Sequence, residues 1–89
     1  MASKIVLPSE KIEDEKINEI TEWLQKNAGQ GSSRYGGQKG NVSHWLQGDD
    51  WLYYEEYTLS EDEDRAIDAN LIFVFRSEEV AVQFALRFA

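Results

Sequence analysis

Apolar residues recur at helical spacing in a segment near the start of the chain. Between residues 10 and 27, five apolar side chains fall within one arc of roughly 140° when residues are placed about 100° apart. These residues are Ile12, Ile17, Ile20, Trp23 and Leu24. The pattern predicts an amphipathic helix over residues 10–27 whose apolar face turns inward, with Ser9 as its N-cap.

The C-terminal segment has the same periodicity. Ser77 is placed to cap a helix whose first turn holds Glu78 and Glu79, where the helix dipole favours acids. The apolar residues that follow at helical spacing are Ala81, Phe84, Ala85 and Phe88, and the face is widened by Val80, Val82 and Leu86. The pattern predicts a second helix that is either deeply packed, the commoner case, or carries a second contact surface.

Short runs of β-forming residues predict strands at residues 4–7, 42–47, 51–58 and 71–76. Gly48 and Asp49 are placed as the two-residue turn of a hairpin between the second and third of these strands, with a positive φ at Gly48. Residues 71–76 are apolar on both faces, which predicts the most buried strand, at the centre of the sheet.

Two segments lack a core-forming pattern. Residues 29–41 contain five glycines and no aliphatic side chain, which predicts a flexible loop. Residues 59–70 are predicted to be a loop or one or two helical turns, because Ser60 and Glu63 have capping-box spacing. The elements together predict one α+β domain over residues 1–89, with a three- or four-stranded antiparallel sheet and two helices packed mainly on one face.

Composition limits the possible function classes. The chain has 89 residues, of which 42% are hydrophobic, which is enough for one packed core. It has no cysteine, which excludes disulfides and thiol catalysis and favours a cytoplasmic location. The N-terminal apolar run is too short for a signal peptide or a membrane span, so no membrane association is expected.

The charge balance narrows the choice of partners. The chain carries 9 Lys plus Arg and 17 Asp plus Glu, a formal net charge of -8. Phosphate backbones and anionic lipids are repelled at this charge, so direct DNA binding is not expected. The acidic surface either keeps the protein soluble or attracts a protein partner with a basic surface.

Catalytic and metal-binding signatures are missing from the sequence. The single histidine, His44, follows Ser43 in a predicted strand, where neighbouring side chains point to opposite faces and cannot form a nucleophile and base pair. The acids that begin at Asp62 lack the glycine and the final acid of a calcium-binding loop. The sequence therefore predicts no enzyme, no cofactor and no metal site.

Residues 48–64 combine aromatic rings with acids and contain only Asp, Glu and uncharged side chains. Carboxylates can take the place of phosphates on a basic surface, and Trp and Tyr often anchor interfaces. The predicted partner-binding residues are Asp49, Asp50, Trp51, Tyr53, Glu55, Glu56, Tyr57, Glu61, Asp62, Glu63 and Asp64. We therefore expect a small inhibitor that blocks a basic site, such as a nucleic-acid-binding site, on another protein.

The C-terminal half of the chain contains the run LIFVFRSEEVAVQFALRF at residues 71–88 and the earlier run WLQGDDWLYY. On these residues, this half resembles small, acidic, uncharacterised proteins encoded by tailed bacteriophages. In those proteins a strand of the type FxF leads through an acidic turn into AxxFALRF. Such phage proteins include host-takeover and anti-defence factors, among them inhibitors of restriction and CRISPR systems. The resemblance therefore implies an inhibitor that acts in the cytoplasm of a bacterial host on a defence nuclease complex.

Two other function classes remain open. The first is a homo-oligomeric structural or accessory protein, for example a homodimer joined through the last helix or through an open sheet edge. The second is an RNA-binding module that uses Arg34, Tyr35 and Lys39 in the glycine-rich loop.

Overall fold

The computed structural model describes residues 3–33, 37–38 and 48–89. Its elements in chain order are β1 (Ser3–Pro8), a 3₁₀ helix (Ser9–Lys11), α1 (Asp14–Asn27), β2 (Gly31–Ser33), β3 (Gly37–Gln38), β4 (Trp51–Leu59), β5 (Ala66–Phe75) and α2 (Glu78–Phe88). The fold class is α+β, as the hydrophobic pattern predicts.

β5 lies at the centre of the sheet, which confirms the prediction made from its two apolar faces. It pairs antiparallel with β1 on one edge, where Phe73 lies opposite Ile5, and with β4 on the other, where Phe73 lies opposite Tyr53. Along residues 70–75 both edges of this strand are paired and apolar side chains pack on both of its faces, so Leu71 and Ile72 are each only 1% exposed.

The sheet is mixed, and the predicted antiparallel arrangement is wrong on this point. β2 and β3 both pair in parallel with β4, with Ser32 opposite Leu52 and Gln38 opposite Tyr57. The prediction of a loop over residues 29–41 is wrong at Gly31–Ser33 and Gly37–Gln38, which form strands. Residues 34–36 and 39–41 lie outside the described residues. Backbone groups of glycine and serine complete the hydrogen bonding of β4, although their side chains give no strand signal.

The strand predicted at residues 51–58 is confirmed as β4, but the hairpin pairing predicted for its first residues is wrong. Residues 51–53 pair with β5 on one edge and with β2 on the other, so neither edge is open to a strand arriving through the predicted turn. Gly48 does adopt the predicted positive φ, at 96°. Residues 42–47 lie outside the described residues.

β4 and β5 form a long hairpin, and β5 begins at Ala66 rather than at the predicted residue 71. Their pairing continues outward to Leu59 opposite Ala66, and the Ser60 backbone N–H donates a hydrogen bond to the Arg65 carbonyl across the turn (3.0 Å). The segment over residues 59–70 is therefore a short turn followed by strand, and the helical alternative is wrong.

A β-bulge interrupts this hairpin opposite Tyr57. The pairing passes from Glu56 opposite Asn70 to Thr58 opposite Ile67, so β5 contains one more residue than β4 in this interval. Asp68 accommodates the extra residue by adopting a φ of 52°, a left-handed conformation that Asp tolerates better than most residues.

Both helices pack on the same face of the sheet, as predicted. The core residues on the strands are Leu7, Trp51, Leu71, Phe73 and Phe75, and those on the helices or the residue after α1 are Ile20, Leu24, Ala28, Ala81, Phe84 and Phe88. Phe84 is fully buried, and its ring centroid lies 4.7 Å from that of Phe73. The two helices therefore share one aromatic core with the central strand.

The two helix starts differ in how well the sequence predicts them. α1 begins at Asp14 rather than at residue 10, because Ile12 is extended (φ -114°, ψ 113°) after the 3₁₀ helix. Ser9 therefore does not cap α1. Ser77 does cap α2, where its hydroxyl accepts a hydrogen bond from the Val80 N–H (3.4 Å).

The opposite face of the sheet carries a smaller apolar cluster. Leu52, Tyr54 and Ile72 are buried there, with Val74 packed against them, and neither α1 nor α2 contributes to the cluster. In the described part of the chain, neither helix has the length and apolar character that a bilayer crossing requires.

Candidate functional site

The predicted partner-binding residues fall into three groups instead of one patch. Asp49 and Asp50 precede β4, residues 51–57 lie along it on alternate faces, and residues 61–64 form the turn that follows. β4 has nine residues, so at about 3.3 Å per residue its ends are roughly 26 Å apart. The acids before and after β4 therefore cannot reach the same small site on a partner.

Asp49 and Asp50 hold the start of β4 to its neighbours. Asp50 Oδ2 accepts a hydrogen bond from the Gln30 N–H (3.1 Å), and the Asp50 N–H donates to the Gln30 carbonyl (2.7 Å). The Ser32 hydroxyl donates to Asp49 Oδ2 (2.9 Å). From the other side, Arg76 Nε donates to the Asp49 carbonyl (3.1 Å). Both carboxylates thus have partners within the chain, which argues against a primary role in binding another protein.

Trp51 belongs to the core rather than to an interface. Its side chain is buried, and its indole Nε1 donates a hydrogen bond to the Gly29 carbonyl (3.1 Å). The ring lies against Gly31, where it leaves no room for a Cβ. A buried ring of this kind cannot anchor a partner while the fold is intact, which argues against Trp51 as a contact residue.

The tyrosines of β4 alternate between the two faces of the sheet, as the strand period predicts. Tyr53 stacks on Phe73, with ring centroids 5.0 Å apart and an interplanar angle of 29°. Burial raises the pKa of Tyr53, and the nearby Glu55 carboxylate raises it further. Burial and then Glu56 raise the pKa of Tyr54 on the opposite face.

Residues 61–64 form an exposed acidic turn at the tip of the hairpin. The Ser60 hydroxyl lies 3.0 Å from Oδ1 of both Asp62 and Asp64, and these two carboxylates share its single proton as acceptors. The Glu63 N–H donates to the Ser60 carbonyl (2.9 Å), and Glu63 adopts a φ of 56°. The hydrogen bond from Ser60 lowers the pKa of Asp62, so this carboxylate stays ionised to a lower pH than an ordinary aspartate. The turn therefore presents its carboxylates in a defined arrangement.

A second group of acids lies at the same end of the molecule as this turn. β1 ends with Pro8 opposite Asn70, and Glu10 lines a hollow together with Ile67 and Asp68. The 3₁₀ helix that follows β1 therefore lies beside residues 66–70, the part of β5 that is nearest to the hairpin turn. The sequence does not predict this proximity, because it depends on the register between β1 and β5.

α1 starts at this end and runs away from it. Its C-terminal neighbour Ala28 shares the core with Trp51 at the opposite end of β4. We call the acids of the hairpin turn and those beside the hollow the acidic end, which comprises Glu10, Glu61, Asp62, Glu63, Asp64 and Asp68. Glu13, Asp14 and Glu15 follow Glu10 in the chain, at the start of α1. The ion pairs among the described residues, Lys26 with Glu22 and Arg87 with Glu19, include none of these acids.

An apolar groove of about 580 Å³ lies between α1 and the edge of the sheet. Ile17 and Thr21 line it from α1, Gly31 and Ser32 from β2, and Tyr53 from β4. Its lining residues within the described structure carry no charged side chain, so the groove offers space for an apolar group but no acid, base or nucleophilic pair.

Several predicted features cannot be placed in the structure. Arg34, Tyr35 and Lys39, proposed as RNA contacts, and His44 lie outside the described residues. Within the ranges that the structure describes, no group of three His, Cys, Asp or Glu side chains is arranged to hold a metal ion. The chain matches no protein-family model, no curated protein and no solved structure. The candidate site therefore rests on the side chains described above.

Proposed function

We propose that this protein is a small acidic inhibitor that occupies a basic surface on another protein through its acidic end. The supporting observation is that Glu10, which precedes α1, lines the same hollow as Asp68, which follows the acidic turn after β4. These carboxylates take part in no ion pair among the described residues, so their charge is available to a partner. The net charge of -8 also speeds encounter with a basic protein.

The class of partner follows from the chemistry of this surface. Spaced carboxylates can occupy positions where a basic protein otherwise binds phosphates, so we propose a nucleic-acid-binding protein as the target. The resemblance to tailed-phage proteins favours a nuclease complex of a bacterial restriction or CRISPR defence, met in the host cytoplasm. In this role the protein acts by stoichiometric binding, with no catalytic step, no cofactor and no contact with DNA.

The structure changes which residues we propose as contacts. Asp49, Asp50 and Trp51 are engaged within the fold, so they support the surface rather than form it. The partly exposed residues Tyr53, Glu55, Glu56 and Tyr57 remain candidates along β4. The primary contacts are the acids of the turn and of the segment before α1.

The experiment compares two variants with equal changes in net charge. E61K/E63K reverses two exposed acids of the acidic end, whereas E78K/E79K reverses two exposed acids at the start of α2, the opposite end of β5. Wild-type protein and both variants are immobilised and used to capture proteins from a bacterial lysate. We expect E61K/E63K to weaken binding of the captured protein by at least about tenfold, equivalent to ~1.4 kcal/mol, and E78K/E79K to retain it.

Competition identifies the kind of surface that is bound. Double-stranded nucleic acid added to the wild-type complex should release the captured protein, because both ligands need the same basic site. Circular dichroism of each variant checks that the fold is intact. Retention of the partner by E61K/E63K, or a complex that nucleic acid does not displace, contradicts the proposal.

A further inference from the structure

The outer edge of β1 and the adjoining flank of α2 form an exposed apolar surface. Within the described residues β5 is the only strand paired with β1, so the other edge of β1 has open backbone hydrogen-bonding groups. Leu86 is 84% exposed and Val82 is 52% exposed on the neighbouring flank of α2. Ile5 and Ala85 help to line a shallow hollow between the strand and the helix. We call this surface the β1–α2 edge.

Soluble proteins normally protect such a feature. Open edge strands are usually blocked by charges, prolines or bulges, because free backbone groups pair readily with another strand. In β1 the blocking residues are Lys4 and Pro8, and Pro8 occupies the last position, which leaves the middle of the strand accessible. The exposed Leu86 beside this edge adds an apolar contact surface that the fold of one chain does not use.

We propose that the β1–α2 edge is a homodimer interface, in which β1 pairs antiparallel with β1 of a second copy about a two-fold axis. Antiparallel self-pairing about this axis matches residues of the same parity, so Ile5 and Leu7 of both copies stay on the helix side of the joined sheet. The two α2 helices then lie on the same side and meet through Val82 and Leu86. Strand pairing and helix packing are thus satisfied by one symmetric contact.

The distribution of charge favours a second copy over a basic partner at this surface. β1 runs toward the acidic end, since Pro8 lies opposite Asn70. Antiparallel pairing therefore places the two acidic ends at opposite ends of the dimer, where their repulsion is smallest. The flank itself holds a single acid, Glu78, among the residues that line the hollow. A basic partner is drawn to the acidic end instead.

The size of the contact sets its expected strength. A strand of six residues is about 20 Å long, and α2 with its 11 residues is about 16 Å long. A contact of this length is at the small end of specific interfaces, so the dimer forms reversibly at micromolar concentrations. It leaves both acidic ends exposed, so this inference goes beyond the proposed inhibitor function and does not depend on it.

Sedimentation velocity from low to high micromolar concentration tests the dimer with two matched variants. L86E and Q83E each add one negative charge to an exposed position of α2, but only Leu86 lies on the β1–α2 edge. We expect wild type and Q83E to dimerise with constants within about twofold of each other, and L86E to dimerise at least about tenfold more weakly because a charge is placed in an apolar contact. A wild-type protein that stays monomeric, or equal weakening by both variants, overturns the proposal.

Crosslinking tests the geometry of the interface. The chain has no cysteine, so a single introduced thiol is unique. Val6, at 49% exposure on β1, and Gln83 on α2 are replaced in V6C and Q83C. A short bis-maleimide should join two copies of V6C in high yield and two copies of Q83C poorly. Efficient crosslinking of Q83C without that of V6C places the contact elsewhere and overturns the β1 pairing.

Discussion

The indole ring of Trp51 lies directly against the backbone of Gly31, the residue opposite it in the parallel pair of β2 and β4. A side chain on Gly31 would overlap this ring, and the ring is fixed by its hydrogen bond to the Gly29 carbonyl. The absence of a side chain at Gly31 is therefore what allows the short strand β2 to join the sheet.

The first prediction concerns this contact. Gly31→Ala should lower the free energy of unfolding by about 1–3 kcal/mol, because the new methyl group forces the indole or the strand to move. Urea denaturation measures the loss. Ser33→Ala, at an exposed position of the same strand, is the control and should change stability by less than about 0.5 kcal/mol. A Gly31→Ala variant as stable as the control contradicts the packing described here.

The second prediction separates the hydrogen bond of Asp50 from its charge. Asp50→Ala removes the acceptor for the Gln30 N–H and should lower the free energy of unfolding by about 1 kcal/mol. Asp50→Asn keeps a side-chain acceptor and removes the charge, so it should recover most of this loss. Equal destabilisation by both variants in urea denaturation would show that the charge, and not the hydrogen bond, is what matters.

The third prediction concerns the pKa of Asp62 in the acidic turn. The Ser60 hydroxyl lowers this pKa, so Ser60→Ala should move it back toward the ordinary value of about 3.9. A folded pKa below the unfolded one contributes stability above about pH 3.9, and that contribution is lost as the pH falls through the folded pKa. NMR titration of the carboxyl carbon measures the shift. An unchanged titration in Ser60→Ala would refute the role assigned to the hydroxyl.

The fourth prediction concerns alkaline pH. Burial raises the pKa of Tyr53, with a smaller contribution from Glu55, so the folded protein keeps this phenol neutral when the unfolded chain has begun to ionise it. Stability from this group is complete below about pH 10 and is lost as the pH rises from there through the folded pKa. Denaturation at a series of pH values should therefore show a smaller alkaline loss in Tyr53→Phe.

Glu55→Gln is the companion variant for this test. Removing the neighbouring negative charge should lower the pKa of Tyr53 only in part, because burial is the larger cause of the shift. NMR of the tyrosine ring follows the titration. A pKa of Tyr53 that returns fully to the ordinary value in Glu55→Gln would reverse this order of causes.

The parts of the fold that the sequence predicts correctly are those with a strong local pattern. β5 is central because both of its faces are apolar, and α2 begins where Ser77 can cap it. The residues of β2 have no local pattern that predicts a strand. The strand depends on contacts of Gly31 with Trp51 and of Ser32 with Asp49, which are far away in the sequence. Asp is a residue type that favours turns, but Asp68 lies in a β-bulge because β5 pairs with β4 on both sides of it.

The candidate site is also predicted only in part by the local sequence pattern. An acidic and aromatic run appears continuous in the sequence, but the alternation of β4 sends Tyr53 and Tyr54 to opposite faces. Asp50 is committed to a hydrogen bond with Gln30, a partner that local pattern cannot reveal. The proximity of Glu10 to Asp68 also depends on strand register, which is a property of the folded sheet.

The order of strands has a consequence for how the chain acquires its structure during synthesis. β1 is made before the other strands, yet its partner in the sheet is β5, and the core includes Phe84 and Phe88 of α2. A nascent chain that has reached only the β4–β5 turn therefore has neither its central strand nor its aromatic centre. The complete core therefore cannot form until α2 has left the ribosome.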